Sequence, residues 1–220
     1  MRVYKIAGIL LAAWMATVAN ATTLQPIGYD NNFGMQVTLN VNGVEHDVWA
    51  GPFQALLDNA TTVEVFCLDF FTSIDYQPYM VTATPPSPSL YQAAAQMYST
   101  FIGNMTNATG AARNLYGAAL QIALWEVTID GFPSSSTGLA TGNFRESTVT
   151  PLSANLETVV SSYLSATLGP VAPGTVIYQS ANKDIAMQPL IGGGGNVPEP
   201  GTWAMLGTGL LCLGLVRRRA

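Results

Sequence analysis

The stretch from Leu120 to Trp125 constrains the fold most, because it places the carboxamide of Gln121 inside one of the most apolar segments of the chain. Apolar residues recur around it at the spacing of one helical face, namely Ala118, Ile122, Trp125 and Ile129. Burying an amide without partners costs about 1–3 kcal/mol. The segment therefore predicts a buried helix whose glutamine is either hydrogen-bonded or chemically used.

The amino end has the pattern of a targeting segment. A basic start and an apolar run over residues 6–18 precede two small residues, Ala19 and Ala21, at the spacing that signal peptidase requires. We therefore predict a secretory signal peptide at residues 1–21, cleaved by signal peptidase after Ala21.

The carboxyl end contains a Pro-Glu-Pro motif, an apolar segment and a basic cluster, in that order. The residues are Pro198, Glu199 and Pro200, then 202–216, then Arg217, Arg218 and Arg219. The apolar segment is short for a transmembrane helix, which needs about 17–25 residues. These elements resemble the PEP-CTERM sorting signal, here over residues 197–220. The resemblance implies a Gram-negative host that makes exopolysaccharide, a membrane-anchored intermediate held in the inner membrane by the C-terminal helix, and an exosortase-type transpeptidase that transfers the protein to the cell surface or biofilm matrix.

Removing both ends changes the charge and the cysteine inventory of the chain. Five of the eight basic residues lie in the ends, whereas all 13 acids lie between Asp30 and Glu199, so the remaining body has a net charge near −10. This charge argues against nucleic acid as a partner. Cys212 lies in the tail, which leaves Cys67 as an unpaired thiol in an oxidising compartment. Such a thiol must be buried, paired between chains or already bonded.

The order of patterns along the body predicts an α+β fold, an antiparallel β-sheet or sandwich with an inserted helical subdomain. Alternating residues on both sides of Asn42-Gly43 indicate a hairpin, and β-branched and aromatic residues indicate a strand over 62–71 that carries Cys67. Helices are predicted over 90–101, 111–129 and from about 151, followed by a strand near 174–180. We expect a body over 22–191 and a glycine-rich linker over 192–196.

Cys67 on a strand and Gln121 on a helix resemble the Cys-Gln thioester domain of bacterial surface adhesins. In that family the glutamine belongs to a Gln-x-Ala-(Ile/Leu)-Trp motif, which Ala123, Leu124 and Trp125 match here. Many members have threonine before the glutamine, whereas this chain has Leu120. The resemblance covers roughly residues 42–180.

The resemblance implies an internal thioester between Cys67 and Gln121, with Asp69 among the supporting residues. An amine or hydroxyl on the cell surface or an exopolysaccharide would then displace Cys67 and become attached to Gln121. A bond between these residues would close a loop that stabilises the fold by about 4 kcal/mol. The resemblance thus implies a covalent adhesin or matrix linker, with no cofactor, and not a turnover enzyme.

Two other interpretations of the same residues stay open. Cys67 fits an inert core position, and the body then fits a non-covalent structural or carbohydrate-binding matrix protein whose exposed aromatics, Tyr29, Trp49 and Tyr79, stack on sugars. A hydrolytic pair of Cys67 with His46, oriented by Asp69, is less favoured because His46 lies between acids on the predicted outer hairpin. One histidine and one usable cysteine cannot supply a zinc site, so no metal is expected.

Overall fold

A computed structural model describes residues 21–28, 34–84, 91–132, 138–182 and 187–193. The predicted signal peptide up to residue 20, Tyr29 and the predicted sorting signal lie outside these ranges. Among the described residues, no helix has both the length and the apolar character needed to cross a membrane.

Six antiparallel strands form a closed barrel. In chain order they are β1 (Ala21–Gly28), β4 (Phe53–Leu57), β5 (Thr61–Cys67), β6 (Tyr79–Thr84), β8 (Thr175–Ser180) and β9 (Leu190–Gly193). Around the barrel their order is β1-β4-β5-β9-β8-β6. β4 alternates buried and half-buried residues, whereas β5 ends in three consecutive buried residues, Val65, Phe66 and Cys67. β5 therefore carries Cys67 into the core at its carboxyl end.

A second antiparallel sheet has the order β3-β2-β7. Its strands are β2 (Met35–Val41), β3 (Val44–Ala50) and β7 (Phe144–Glu146). The β2–β3 turn has positive φ at both central residues, 55° at Asn42 and 85° at Gly43, which is the backbone conformation of a type I′ hairpin. The Asn-Gly signal in the sequence therefore fixes this register.

Among the described residues, three α-helices lie between the barrel strands β6 and β8 in the sequence: α1 (Gln92–Thr106), α2 (Gly110–Ile129) and α3 (Ala154–Leu164). α2 packs against both other helices and against strands of both sheets. Every residue from Gly117 to Val127 is buried, because partners cover α2 on all sides. α3 begins at an N-cap, where the Ser153 hydroxyl accepts a hydrogen bond from the Leu156 N–H at 3.4 Å.

The predicted antiparallel strands and three inserted helices are confirmed, but the strands of the first sheet close into a barrel and do not form a sandwich. The sequence predicted no strand at β4, β7 and β9, which are short, and none at β1. β9 includes Gly192 and Gly193, which the sequence assigned to the linker over 192–196. A Cβ atom at Gly192 would lie 2.8 Å from the Glu64 carbonyl oxygen, so this glycine serves close strand packing.

Candidate functional site

The carboxamide of Gln121 meets the main chain of Cys67 in the core. The Cys67 N–H donates to Gln121 Oε1 at 3.0 Å, and Gln121 Nε2 donates to the Cys67 carbonyl oxygen at 2.8 Å. Gln121 is 0% exposed and Cys67 is 2% exposed. The structure therefore brings together the two residues that the sequence singled out, although they are 54 positions apart.

The end of β4 explains why a side chain occupies this place. β4 pairs with β5 only up to the pair Phe53–Val65. Two positions further in that register, Gly51 would pair with Cys67, but the chain leaves the strand at Gly51 and Pro52. The Gln121 carboxamide bonds the two main-chain groups of Cys67 that β4 leaves free, and so continues the ladder.

Close approach of α2 makes this contact possible. Gly117 lies one turn before Gln121, and a Cβ atom there would lie 3.1 Å from Pro52 Cδ and 3.2 Å from Met105 Sδ. These distances are tight for a side chain, so glycine lets the helix lie against the end of β4. The same turn of α2 then directs Gln121 at Cys67.

The thiol of Cys67 is held in its neutral form. Burial raises its pKa, the charge of Asp69 raises it further, and a hydrogen bond with Gln188 lowers it by less. A free thiolate is therefore strongly disfavoured, and reagents that need an exposed thiolate are expected to react poorly with the folded protein.

A pocket of about 250 Å³ lies over Cys67. Its walls are mainly apolar and aromatic, and include Trp49, Phe53, Phe70, Tyr76 and Trp125. Polar lining comes from Thr72, Ser73 and Gln188, and the described residues that line the pocket include no Asp, Glu, Lys, Arg or His. The pocket gives a small group access to the neighbourhood of the buried cysteine.

Hydrogen bonds to Asp69 stabilise the turn that follows β5. Its carboxylate accepts hydrogen bonds from the Phe71 N–H at 2.9 Å and from the Thr72 hydroxyl at 2.5 Å, and its carbonyl oxygen accepts from Gln188 Nε2 at 2.5 Å. This turn carries Phe70 into the pocket wall. Asp69 thus stabilises the turn that forms part of the pocket wall.

The other predicted motif residues are all buried on α2. Ala123 and Leu124 are inaccessible to solvent, and Trp125 packs edge-on against Phe70 with ring centroids 5.0 Å apart. Phe70 was not singled out in the sequence, although it contacts three further aromatic rings, those of Phe71, Phe144 and His46. The run Phe70-Phe71 directly after the cysteine strand is the signal that would have found it.

The structure corrects the exposure that the sequence predicted for three residues, His46, Trp49 and Tyr79. His46 is half-buried and packs edge-on against Phe70 at 5.3 Å, whereas a solvated histidine was expected. Trp49 and Tyr79 are half-buried, not exposed, and Trp49 lines the pocket. No group of three or more histidine, cysteine or acidic side chains is placed to hold a metal among the described residues. Ala19 and residues 198–200 and 217–219 lie outside them.

The comparisons with known proteins concern the tail and the fold. Residues 196–219 match the model of the PEP-CTERM protein-sorting motif. The N-terminal thioester domain of a surface protein from Clostridium perfringens is similar at 12% identity and a TM-score of 0.43, covering 79% of this chain and 98% of that one. The N-terminal thioester domain of fibronectin-binding protein SfbI from Streptococcus pyogenes is similar at 13% identity and a TM-score of 0.40, covering 74% and 97%. No curated protein matches the sequence.

The sorting motif agrees with the prediction made from the Pro-Glu-Pro sequence and the basic cluster. Its position at residues 196–219 coincides with the predicted signal at 197–220 to within one residue at each end. The chain therefore carries a PEP-CTERM protein-sorting motif, which indicates an exported protein that an exosortase-type system processes and sorts to the cell surface.

Proposed function

We propose that this protein forms an internal thioester between Cys67 and Gln121 and uses it to attach covalently to a nucleophile at the cell surface or in an exopolysaccharide matrix. The observation that carries the proposal is the pair of hydrogen bonds that hold the Gln121 carboxamide against Cys67. The sorting motif supports it by indicating export to a surface.

The proposed bond-forming step is balanced without any cofactor. Cys67 Sγ adds to Gln121 Cδ, the carbon–nitrogen bond breaks, and Nε2 leaves as ammonia with the thiol proton. The Cys67 N–H already donates to Oε1, where negative charge develops during the attack. The Cys67 carbonyl already accepts from Nε2, so it holds the departing nitrogen in place.

Burial slows the hydrolysis of the proposed thioester. The environment that raises the pKa of Cys67 also makes its thiolate a poor leaving group, so hydrolysis by stray water is slow. An amine or hydroxyl that enters through the pocket brings its own proton to the departing sulfur. Its nitrogen or oxygen then bonds to Gln121 Cδ and Cys67 is released as the thiol.

By this chemistry each protein molecule reacts only once. The target stays bound to Gln121 after the reaction, and the chain does not regain its carboxamide. We therefore propose a covalent adhesin or matrix linker and not a turnover enzyme.

The competing function is a non-covalent structural or carbohydrate-binding protein of the same sorting class, with Cys67 as an inert core residue. The same hydrogen bonds favour it, because they satisfy the buried carboxamide without any chemistry. The half-buried Trp49 and Tyr79 offer less sugar-stacking surface than the sequence predicted.

Intact mass separates the two functions. We expect the purified secreted body to be lighter than its sequence mass by one ammonia, and to gain one methylamine on incubation with that amine. Cys67→Ser and Gln121→Asn should each show the full mass and no methylamine adduct. Because burial shields a free Cys67 thiol in the folded protein, alkylation must be done in denaturant. A full-mass wild-type protein whose Cys67 alkylates completely in denaturant would exclude the thioester.

A further inference from the structure

A second buried polar group lies near Gln121 on α2, the indole N–H of Trp125. Trp125 is 5% exposed, and within the described part of the chain its indole Nε1–H has no hydrogen-bond partner. Leaving a buried donor unsatisfied costs about 1–3 kcal/mol. A buried donor without a partner needs an explanation, and an acceptor that forms in another state of the site would supply one.

The position of Trp125 identifies that acceptor. Trp125 follows Gln121 by four residues on α2, so the two side chains are neighbours on one side of the helix. Side chains on a helix lean toward its amino end, which places the indole over the turn that carries Gln121. Trp125 also lines the pocket that Cys67 lines.

Aromatic packing restrains the indole ring. Phe70 packs edge-on against it with centroids 5.0 Å apart and an interplanar angle of 83°, and Phe144 lies 6.4 Å away at 53°. The ring is therefore held by contacts that do not involve its N–H. This is the preorganisation that a donor to a transient charge requires.

The resting amide uses Oε1 as the acceptor of one main-chain hydrogen bond, from the Cys67 N–H. When sulfur adds to Cδ, the carbon–oxygen π electrons move onto Oε1, and the resulting oxyanion accepts further hydrogen bonds. We infer that the Trp125 indole N–H donates to this oxyanion, and that it and the Cys67 N–H together form the oxyanion site of the reaction. This inference rests on the proposed function.

The same site acts in both acyl-transfer steps, the formation of the thioester and its opening. In formation, the oxyanion collapses to the thioester as Nε2 leaves with a proton as ammonia. In opening, an amine nitrogen adds to the thioester carbon, the oxyanion forms again, and Cys67 Sγ leaves with the proton of the amine. The rate of opening by methylamine therefore reports on the donor after the thioester has formed.

The test compares methylamine opening in Trp125→Phe and wild-type protein by intact mass over time. Phenylalanine keeps an aromatic ring against Phe70 and removes the donor, and we expect the rate to fall by about 100- to 1000-fold, the usual loss for one oxyanion donor. The control Phe144→Leu loosens the packing around the indole but keeps the N–H, and should slow opening by less than about tenfold. Melting temperatures of both variants check that each is folded.

The outcomes are distinct. A wild-type protein without ammonia loss overturns the proposed function and this inference together. A wild-type rate of opening in folded Trp125→Phe overturns this inference alone, as does an equal slowing in Phe144→Leu, which would make the effect one of packing. If Trp125→Phe does not fold, the tryptophan analogue with sulfur in place of the indole N–H, introduced at position 125, preserves the ring shape and must show the same slowing.

Discussion

Gln121→Met in a Cys67→Ala background measures what the carboxamide contributes without any covalent bond. The alanine removes the sulfur but keeps the main-chain N–H and carbonyl that Gln121 binds at 3.0 and 2.8 Å. Methionine has a similar length and high helix propensity, so α2 is retained. Both main-chain groups of residue 67 then lose their partner inside the core.

Each unsatisfied buried group costs about 1–3 kcal/mol, so the free energy of unfolding should fall by about 2–6 kcal/mol. Urea unfolding followed by tryptophan fluorescence gives this value, with an unchanged m-value showing that the same surface is exposed. The matched control is Gln96→Met on α1, where the side chain is half-buried, and it should change stability by about 0.5 kcal/mol or less. A loss below about 1 kcal/mol for Gln121→Met would refute the assignment of these hydrogen bonds as the ladder continuation at β5.

Two further predictions concern the barrel. Gly192→Ala places a Cβ 2.8 Å from the Glu64 carbonyl oxygen and should lower the free energy of unfolding by about 1–3 kcal/mol. The control Gly169→Ala, whose Cβ would have its nearest atom at 3.6 Å, should leave the free energy of unfolding nearly unchanged. Equal urea midpoints for the two variants would contradict the close β5–β9 packing. Burial raises the pKa of Tyr98 from 10.0 to about 12, so the folded state keeps its proton longer than the unfolded state. The contribution of protonated Tyr98 to the free energy of unfolding is fully present below pH 10 and is lost as pH rises toward 12. In thermal melts, Tyr98→Phe should therefore show a smaller fall in melting temperature over this pH range than the wild-type protein.

Much of the site could be predicted because its signals are local. The helical period around Gln121, the Asn42-Gly43 turn and the run of β-branched residues before Cys67 each depend on neighbours in the sequence. Barrel closure depends on pairs distant in sequence, such as Cys67 with Leu190, and no local pattern carries that information. The strand β9 was missed for the same reason, since glycines that permit close packing and glycines that form a linker have the same composition.

The end of β4 connects the fold to the proposed chemistry. Had the strand continued through Gly51, its main chain would have paired with Cys67 and excluded a side chain from that position. Because the chain turns away there, a carboxamide from α2 fills the ladder and bonds the main chain of Cys67. The two hydrogen bonds satisfy the buried carboxamide, and the proposed thioester would start from this same contact. Stability alone therefore cannot distinguish the two functions, and the loss of ammonia can.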